Sequence, residues 1–356
     1  MIVLCLCGLT ITYFGSTIPI HERIEAICEE ENSWYGFWGV VLVAKGKDIL
    51  FEKGYGYADS AKTRPILPEL KFRIASITKQ ITAAAILSLM EEEKLSLNDT
   101  LSEYYPDFPD ANRITLYQLL AHTSGIATLI NTSEKLNETI QGYPGETTME
   151  KTLSYLKSQP LRFGPGEGFF YSNGGYAILS AVIEKASGQT YSGFLSEHFF
   201  VPLGMRNTGY DPNAYDGTWA LPCHRVSVEP DIVEDAPWVN REIPYGAGGL
   251  YSTVEDLLKW SLAINEYAIL KPETVKLMET PENPIYGNGL GVFIDSIRVD
   301  GKSHVLIYHD GATAGSSTHL SRYPEEGLTI IVLSNLDEYD FTMLAYRIAK
   351  EVFSNE

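Results

Sequence analysis

Phe72-Arg73-Ile74-Ala75-Ser76-Ile77-Thr78-Lys79-Gln80-Ile81-Thr82-Ala83-Ala84-Ala85-Ile86-Leu87 decides how the rest of the chain is read. From Ile77 to Met90 nearly every position is apolar or small, the pattern of a helix buried on most of its circumference, and Glu91-Glu92-Glu93-Lys94 returns it to water. Ser76 falls at the mouth of this helix. There the first-turn N–H groups are unpaired and the dipole is positive, so an oxyanion forming on an acyl group at its Oγ would be stabilised. Lys79 follows one turn on, on the same face. Apolar surroundings would destabilise its ammonium and bring its pKa toward the range in which an amine takes a proton from a hydroxyl. The other reading of this window is a helix N-cap serine with a snorkelling lysine.

Ser-x-x-Lys recurs at Ser154-Tyr155-Leu156-Lys157, within a polar amphipathic pattern running from Met149 to Gln159 and ending before Pro160. There the serine and lysine belong to a solvated helix face, and no chemistry is expected of them.

The chain of 356 residues is 44% hydrophobic and 12% aromatic, enough for a packed core in one large domain or two interleaved ones. Its 27 Lys plus Arg against 46 Asp plus Glu give a net charge of −19, which opposes nucleic acid or an anionic membrane as partner. Met1 to Ile20 carries no acidic or basic side chain and includes Ile2-Val3-Leu4-Cys5-Leu6-Cys7, similar to the apolar region of a signal peptide. Export to an extracytoplasmic or secreted location is the expectation from this segment, with a cytoplasmic protein bearing an apolar N-terminus as the alternative. Cys5 and Cys7 would leave with a signal peptide. Cys28 and Cys223 lie far apart with no metal-ligand spacing, and buried free thiols are expected.

Trp38–Ala44 and Ile49–Gly56 read as two strands joined by the polar turn Lys45-Gly46-Lys47-Asp48. A stretch with few strand-like runs follows, in which Thr115–Ala121, Thr148–Gln159, Gly174–Ala186 and Tyr191–Phe200 read as helices. Val254–Ile264 is a further helix opening at Thr253. Gly289–Val299, Ser303–His309, Ser317–Tyr323 and Gly327–Ser334 are then successive strands, and Phe341–Phe353 is a closing helix. The N-terminal hairpin is too small to stand alone and has natural partners in the C-terminal strands. The expected fold class is therefore α+β of three-layer α/β/α type, with one antiparallel sheet from both chain ends flanked by helices. Residues 21–72 and 245–356 form the sheet domain, residues 73–244 an inserted, mostly helical one, and a cleft between them holds the site.

Two further stretches supply what a serine and lysine need. Gly164-Pro165-Gly166-Glu167-Gly168-Phe169-Phe170-Tyr171-Ser172-Asn173 runs from a Gly/Pro loop into Tyr-x-Asn. A phenol near a lysine loses its proton more readily, and an amide can donate to an acyl group; a turn tyrosine with a capping asparagine is the other reading. Tyr286-Gly287-Asn288 repeats the pattern in a turn. Ile307-Tyr308-His309-Asp310-Gly311-Ala312-Thr313 ends a strand, where glycine lets a ligand approach the backbone and the next N–H can point at an oxyanion. A Ser-His-Asp triad through His309 and Asp310 is rejected, because adjacent strand residues point to opposite faces.

With these in order, the sequence resembles the penicillin-recognising serine hydrolases, in the branch of class C β-lactamases, DD-peptidases, D-aminopeptidases and family VIII carboxylesterases. The matching residues are Ser76 and Lys79, Tyr171 and Asn173, and His309-Asp310-Gly311 where many members have Lys-Thr-Gly. Leu119–Ile126 and Gly246–Asp256 also look like stretches of this branch, and the likeness spans residues 35 to 350. The resemblance implies a β-lactamase/transpeptidase-like fold and acyl transfer through a covalent intermediate. Ser76 would attack, Lys79 and Tyr171 would move its proton, and the N–H groups of Ser76 and Ala312 would form the oxyanion hole. Asn173 would steer the acyl group. No metal or cofactor is implied, and His122 is assigned to structure.

Histidine in place of the Lys-Thr-Gly lysine removes a fixed positive charge, and Asp310 adds a negative one. Small esters or amides without a free carboxylate are therefore expected as substrates. A D-amino-acid-specific peptidase, a DD-peptidase or penicillin-binding protein, and a non-catalytic binding module are the alternatives.

Overall fold

In the computed structural model, residues 18–129, 148–210, 215–227, 231–236, 245–283, 285–337 and 339–354 are described. The apolar stretch Met1–Thr17, on which the export expectation rests, lies outside them together with Cys5 and Cys7.

One six-stranded antiparallel sheet is built from both chain ends. Its strands are β1 (Gly39–Lys45), β2 (Asp48–Tyr55), β7 (Phe293–Val299), β8 (Lys302–Thr313), β9 (Ser316–Tyr323) and β10 (Leu328–Ser334), in the order β2-β1-β10-β9-β8-β7. The N-terminal hairpin joins the C-terminal strands through β1 and β10, in a register running from Gly39↔Ser334 to Lys45↔Leu328. Alternation places successive residues of β1 on opposite faces. Val40, Leu42 and Ala44 pack into the larger core under the central helices, whereas Val41 and Val43 pack with Ile24, Cys28, Leu344 and Ile348 on the other face. Covering both faces explains why β1 and β10 read as nearly unbroken apolar runs.

The outer face is covered by α1 (Ile20–Tyr35) and the closing helix Thr342–Phe353. α1 was not among the helices expected, although Ile20, Ile24, Ile27 and Cys28 have helical spacing. The inner face is covered by α2 (Thr78–Glu91) and the helices Asn173–Ser187 and Val254–Asn265. Eleven residues of α2 are buried, among them Thr78, Lys79, Gln80 and Thr82, so the helix runs through the core as its composition predicts. Thr253 caps the Val254–Asn265 helix by accepting from Asp256 N–H.

The middle of the chain is not purely helical. It holds a small hairpin of β4 (Cys223–Ser227) and β5 (Ile232–Asp235), and a two-residue ladder pairs β3 (Phe72–Arg73) with β6 (Tyr251–Ser252) just before Ser76. Cys28 and Cys223 are free and buried, with their thiols pushed up to about 12 mainly by burial. Among the described residues, no helix is long and apolar enough to cross a membrane.

Candidate active site

The expected residues come from three separate segments. Ser76 sits in a single 3-10 turn, Ala75–Ile77, that leads directly into α2. The turn is strained at Ala75, whose φ of +44° is the left-handed region that a residue with a Cβ seldom adopts. Lys79 is one turn further on, 0% exposed, with Nζ 3.0 Å from Ser76 Oγ. Nζ also donates to Asn173 Oδ1 at 2.8 Å and to the Ala247 carbonyl at 2.6 Å. Burial alone pushes this amine well below the ordinary lysine value.

Tyr171 and Asn173 arrive on the loop before the Asn173–Ser187 helix. Ser172, not Asn173, is the cap: its Oγ accepts from Gly175 N–H. Asn173 is thereby freed to meet Lys79. The Tyr171 ring lies 4.7 Å from Lys79 Nζ. Its pKa does not fall as the lysine neighbour suggested. Burial pushes the phenol up, a hydrogen bond with Ser76 opposes this, and the charge of Asp310 adds to it. The physical reason is that desolvation of the buried phenolate outweighs what a lysine whose own ammonium is disfavoured by burial can supply.

His122 follows the short helix Leu116–Leu120 with φ +60°. Its Nδ1 accepts Ser172 N–H at 3.0 Å, and its ring lies 4.6 Å from Tyr171 and 4.9 Å from Tyr176. A hydrogen-bonded turn histidine was expected. That its ring supports Tyr171 was not, because stacking across a separation of 49 residues leaves no local pattern.

β8 does not end at His309; it continues to Thr313. β7 pairs with it only as far as Phe293↔Tyr308, so from His309 onward the strand is paired on one side, with β9. The chain at Gly311 lies against the Ile74-Ala75 backbone: a Cβ there would stand 2.2 Å from Thr318 Oγ1 and 2.6 Å from the Ile74 carbonyl. Only glycine fits that approach. His309 is 3% exposed, and burial lowers its pKa to about 4, with Lys79 contributing. Its Nδ1 lies 2.6 Å from the Asp310 carbonyl, whereas the Asp310 carboxylate bonds Nδ1 of His319 at 2.6 Å. The side chains of His309 and Asp310 thus turn away from each other, as the rejected triad requires.

A cavity of about 470 Å³ opens on Ser76, and Tyr171, Asn173, His309, Gly311 and Ala312 all line it. The structure brings every expected site residue except buried Lys79 to one cavity, and sets Lys79 directly behind Ser76. The second Ser-x-x-Lys is elsewhere. Ser154 is exposed on the Met149–Ser158 helix, and Lys157 pairs with Asp107. Asn288 of the second Tyr-x-Asn donates to the Ala121 carbonyl. Among the described residues, no three His, Cys, Asp or Glu side chains are grouped to hold a metal ion.

The family model described as Beta-lactamase matches residues 29–353. "Penicillin-binding protein 4*" of Bacillus subtilis (strain 168) is 28% identical over 347 residues, covering 89% of this chain and 72% of that protein. Among solved structures, a penicillin binding protein from Bacillus halodurans superposes with a TM-score of 0.78 at 26% identity, covering 94% of this chain and 100% of the other. D-amino acid amidase from Ochrobactrum anthropi SV3, complexed with D-phenylalanine, gives a TM-score of 0.81 over 95% of this chain and 99% of that one; at 22% identity it shows a common fold. The fold, the order of the motifs and a family match over most of the chain agree: this chain belongs to the beta-lactamase family, the penicillin-recognising serine hydrolases.

Proposed function

We propose that the protein hydrolyses small esters or amides lacking a free carboxylate, through an acyl-enzyme on Ser76. The surroundings of Lys79 Nζ carry this reading. Of its three partners, Asn173 Oδ1 and the Ala247 carbonyl only accept hydrogen bonds. A neutral amine has two N–H donors and one lone pair. The two acceptors take the two donors, and the lone pair is left for the Ser76 hydroxyl 3.0 Å away. The hydroxyl then donates to Nζ, which is the geometry of a nucleophile and its general base.

Ser76 Oγ would attack the carbonyl carbon as its proton passes to Lys79. Negative charge develops on the carbonyl oxygen, facing the N–H groups of Ser76 and Ala312. Tyr171, held protonated by burial, is placed to relay a proton from Lys79 to the leaving oxygen or nitrogen. Departure of that group leaves an ester on Ser76. Water then attacks the ester, giving its proton to Lys79, and as the acyl C–Oγ bond breaks that proton passes from Nζ to Oγ, which restores the Ser76 hydroxyl and the neutral amine. His309, neutral at pH 7, offers no fixed positive charge where a lysine would bind a carboxylate.

Intact-mass measurement during p-nitrophenyl butyrate turnover tests this. The expected result is p-nitrophenol release with a transient gain of one butyryl group, and neither in Ser76→Ala. A Ser76→Ala protein that keeps full turnover overturns the mechanism. A long-lived penicilloyl adduct with benzylpenicillin and slow ester turnover would instead identify a penicillin-binding protein.

A further inference from the structure

Thr78, Lys79 and Thr82, fully buried on one face of α2, hold the backbone that passes behind the nucleophile turn. Leu250 N–H donates to Thr78 Oγ1 at 3.2 Å, Lys79 Nζ donates to the Ala247 carbonyl at 2.6 Å, and Thr82 Oγ1 donates to the Gly246 carbonyl at 2.6 Å. The Thr82 hydroxyl has one proton and two carbonyls within reach. Gly246 takes it, because the Thr78 carbonyl of the same helix is farther off at 3.3 Å. The Tyr191 phenol oxygen, 2.7 Å from Thr82 Oγ1, must then be the donor to it, and burial keeps that phenol protonated. The result is a directed chain from the Tyr191 O–H to the Thr82 O–H to the Gly246 carbonyl. It runs from the short helix Tyr191–Leu195 through α2 to the turn Tyr245–Gly248. Gly246 approaches α2 so closely that a Cβ on it would stand 3.0 Å from Thr82 Cγ2 and 2.9 Å from Ser180 Cβ. Neither hydroxyl of the chain lines the Ser76 cavity, so neither touches a substrate there.

We infer that Thr82 and Tyr191 are positioning residues for the general base: by pinning the Gly246 carbonyl they aim the neighbouring Ala247 carbonyl at Lys79 Nζ. That carbonyl takes one of the two N–H donors of the neutral amine, which leaves the lone pair pointing at Ser76 Oγ. It also stabilises the ammonium that forms as the Ser76 proton arrives. Without the Thr82 hydroxyl, the Gly246 carbonyl loses its donor and the Tyr191 phenol its acceptor, both in the core. The turn then shifts to recover partners, and the Ala247 carbonyl moves with it. The inference rests on the acyl-enzyme reading above.

The titratable groups that face Nζ are Tyr171 and Tyr176, with ring centres 4.7 and 5.7 Å away, and His122 and His309, on whose charge Lys79 acts. The Thr82 and Tyr191 hydroxyls bond none of them, so a moved pH profile in their variants reports on Nζ. The test follows kcat/KM for p-nitrophenyl butyrate against pH in the wild type, Thr82→Val, Thr82→Ser and Tyr191→Phe, with urea unfolding alongside. Valine removes the donor to Gly246 and serine keeps it; Tyr191→Phe removes only the donor behind it. In Thr82→Val the plateau should fall about tenfold. Its acid limb should move to lower pH, because the ammonium loses an acceptor. Tyr191→Phe should show both changes in smaller measure and Thr82→Ser neither. Unchanged kinetics in Thr82→Val overturns the positioning role and leaves the hydrolase standing. A lower plateau with an unmoved acid limb, or a loss that serine does not restore, overturns it too and makes the chain a support of the fold alone. If Thr82→Val does not fold, Tyr191→Phe decides by the same criteria. A wild type that does not turn over the ester, or a Ser76→Ala protein that does, overturns the acyl-enzyme reading and the positioning with it.

Discussion

The His122 imidazole lies 4.6 Å from the Tyr171 ring at an interplanar angle of 34°, and its Nδ1 accepts the N–H of Ser172, the next residue in the chain. One buried ring thus fixes both the plane of Tyr171 and the backbone beside it. His122→Asn tests the two functions separately. Asparagine tolerates the φ of +60° and offers an oxygen to Ser172 N–H, but has no ring to stack. The expected outcome is a fold that survives and a kcat/KM reduced about 10- to 100-fold, the loss typical when a catalytic group is misplaced. Unchanged kinetics in His122→Asn would show that the stacking does not position Tyr171.

Lys79 predicts a slope in stability against pH. Burial brings the folded value of Nζ well below the ordinary one, while the unfolded chain binds a proton there at any pH below about 10.4. Between the lowered folded value and about 10.4, stability therefore rises with pH, by up to about 1.4 kcal/mol per unit from this group. Lys79→Met removes that slope. It also leaves Asn173 Oδ1 and the Ala247 carbonyl without their donor, a cost that does not vary with pH. Urea unfolding of both proteins at pH 7, 8 and 9 should show the wild type gaining on the variant as pH rises. Parallel curves would mean an ammonium in the folded protein, and the base for Ser76 would have to be sought elsewhere.

The chemistry was legible where it is local. Ser76 and Lys79 share one helical face by spacing, and α2's apolar composition announced the burial that lowers Lys79. Gly311 was read as a place where a ligand approaches the backbone, whereas what stands against its Cβ position is the protein's own Thr318 Oγ1 and Ile74 carbonyl. What long-range packing decides was hidden. Asp340 reaches the Ser76 cavity only because β10 lies two strands from β8 in the sheet and the closing helix begins above it. The Tyr171 shift was misjudged, because desolvation of the buried phenolate outweighs what the neighbouring lysine can supply. The left-handed Ala75 leaves no signal in an alanine.

His309 predicts a loss of stability in acid. Its folded value of about 4 lies below the ordinary value of about 6.5, so the unfolded chain binds the proton first as pH falls. The neutral ring's stability is fully present above pH 6.5 and is lost as pH falls toward 4, by at most about 3 kcal/mol. His309→Gln, which does not titrate, should flatten that part of the urea-unfolding profile between pH 6.5 and 4. An identical acid slope in both proteins would place a charged imidazole in the cleft.

Gly311 couples the edge of the sheet to the nucleophile turn, and Gly311→Ala should damage both. The new methyl would stand 2.2 Å from Thr318 Oγ1 and 2.6 Å from the Ile74 carbonyl, distances at which something must move. Overpacking of this kind costs about 1–3 kcal/mol. The part that can yield is the single turn Ala75–Ile77, already strained at Ala75, so Ser76 would shift relative to Lys79 and Ala312. A displacement near 1 Å corresponds to about 100-fold in rate. Adding Thr318→Ala removes the nearer clash but leaves the Ile74 carbonyl in place. The double variant should recover part of the thermal stability and little of the activity, so the two substitutions couple in stability and not in kcat/KM. Recovery of both would show that Thr318 alone bears the contact and that the backbone of Gly311 does not hold the Ser76 turn.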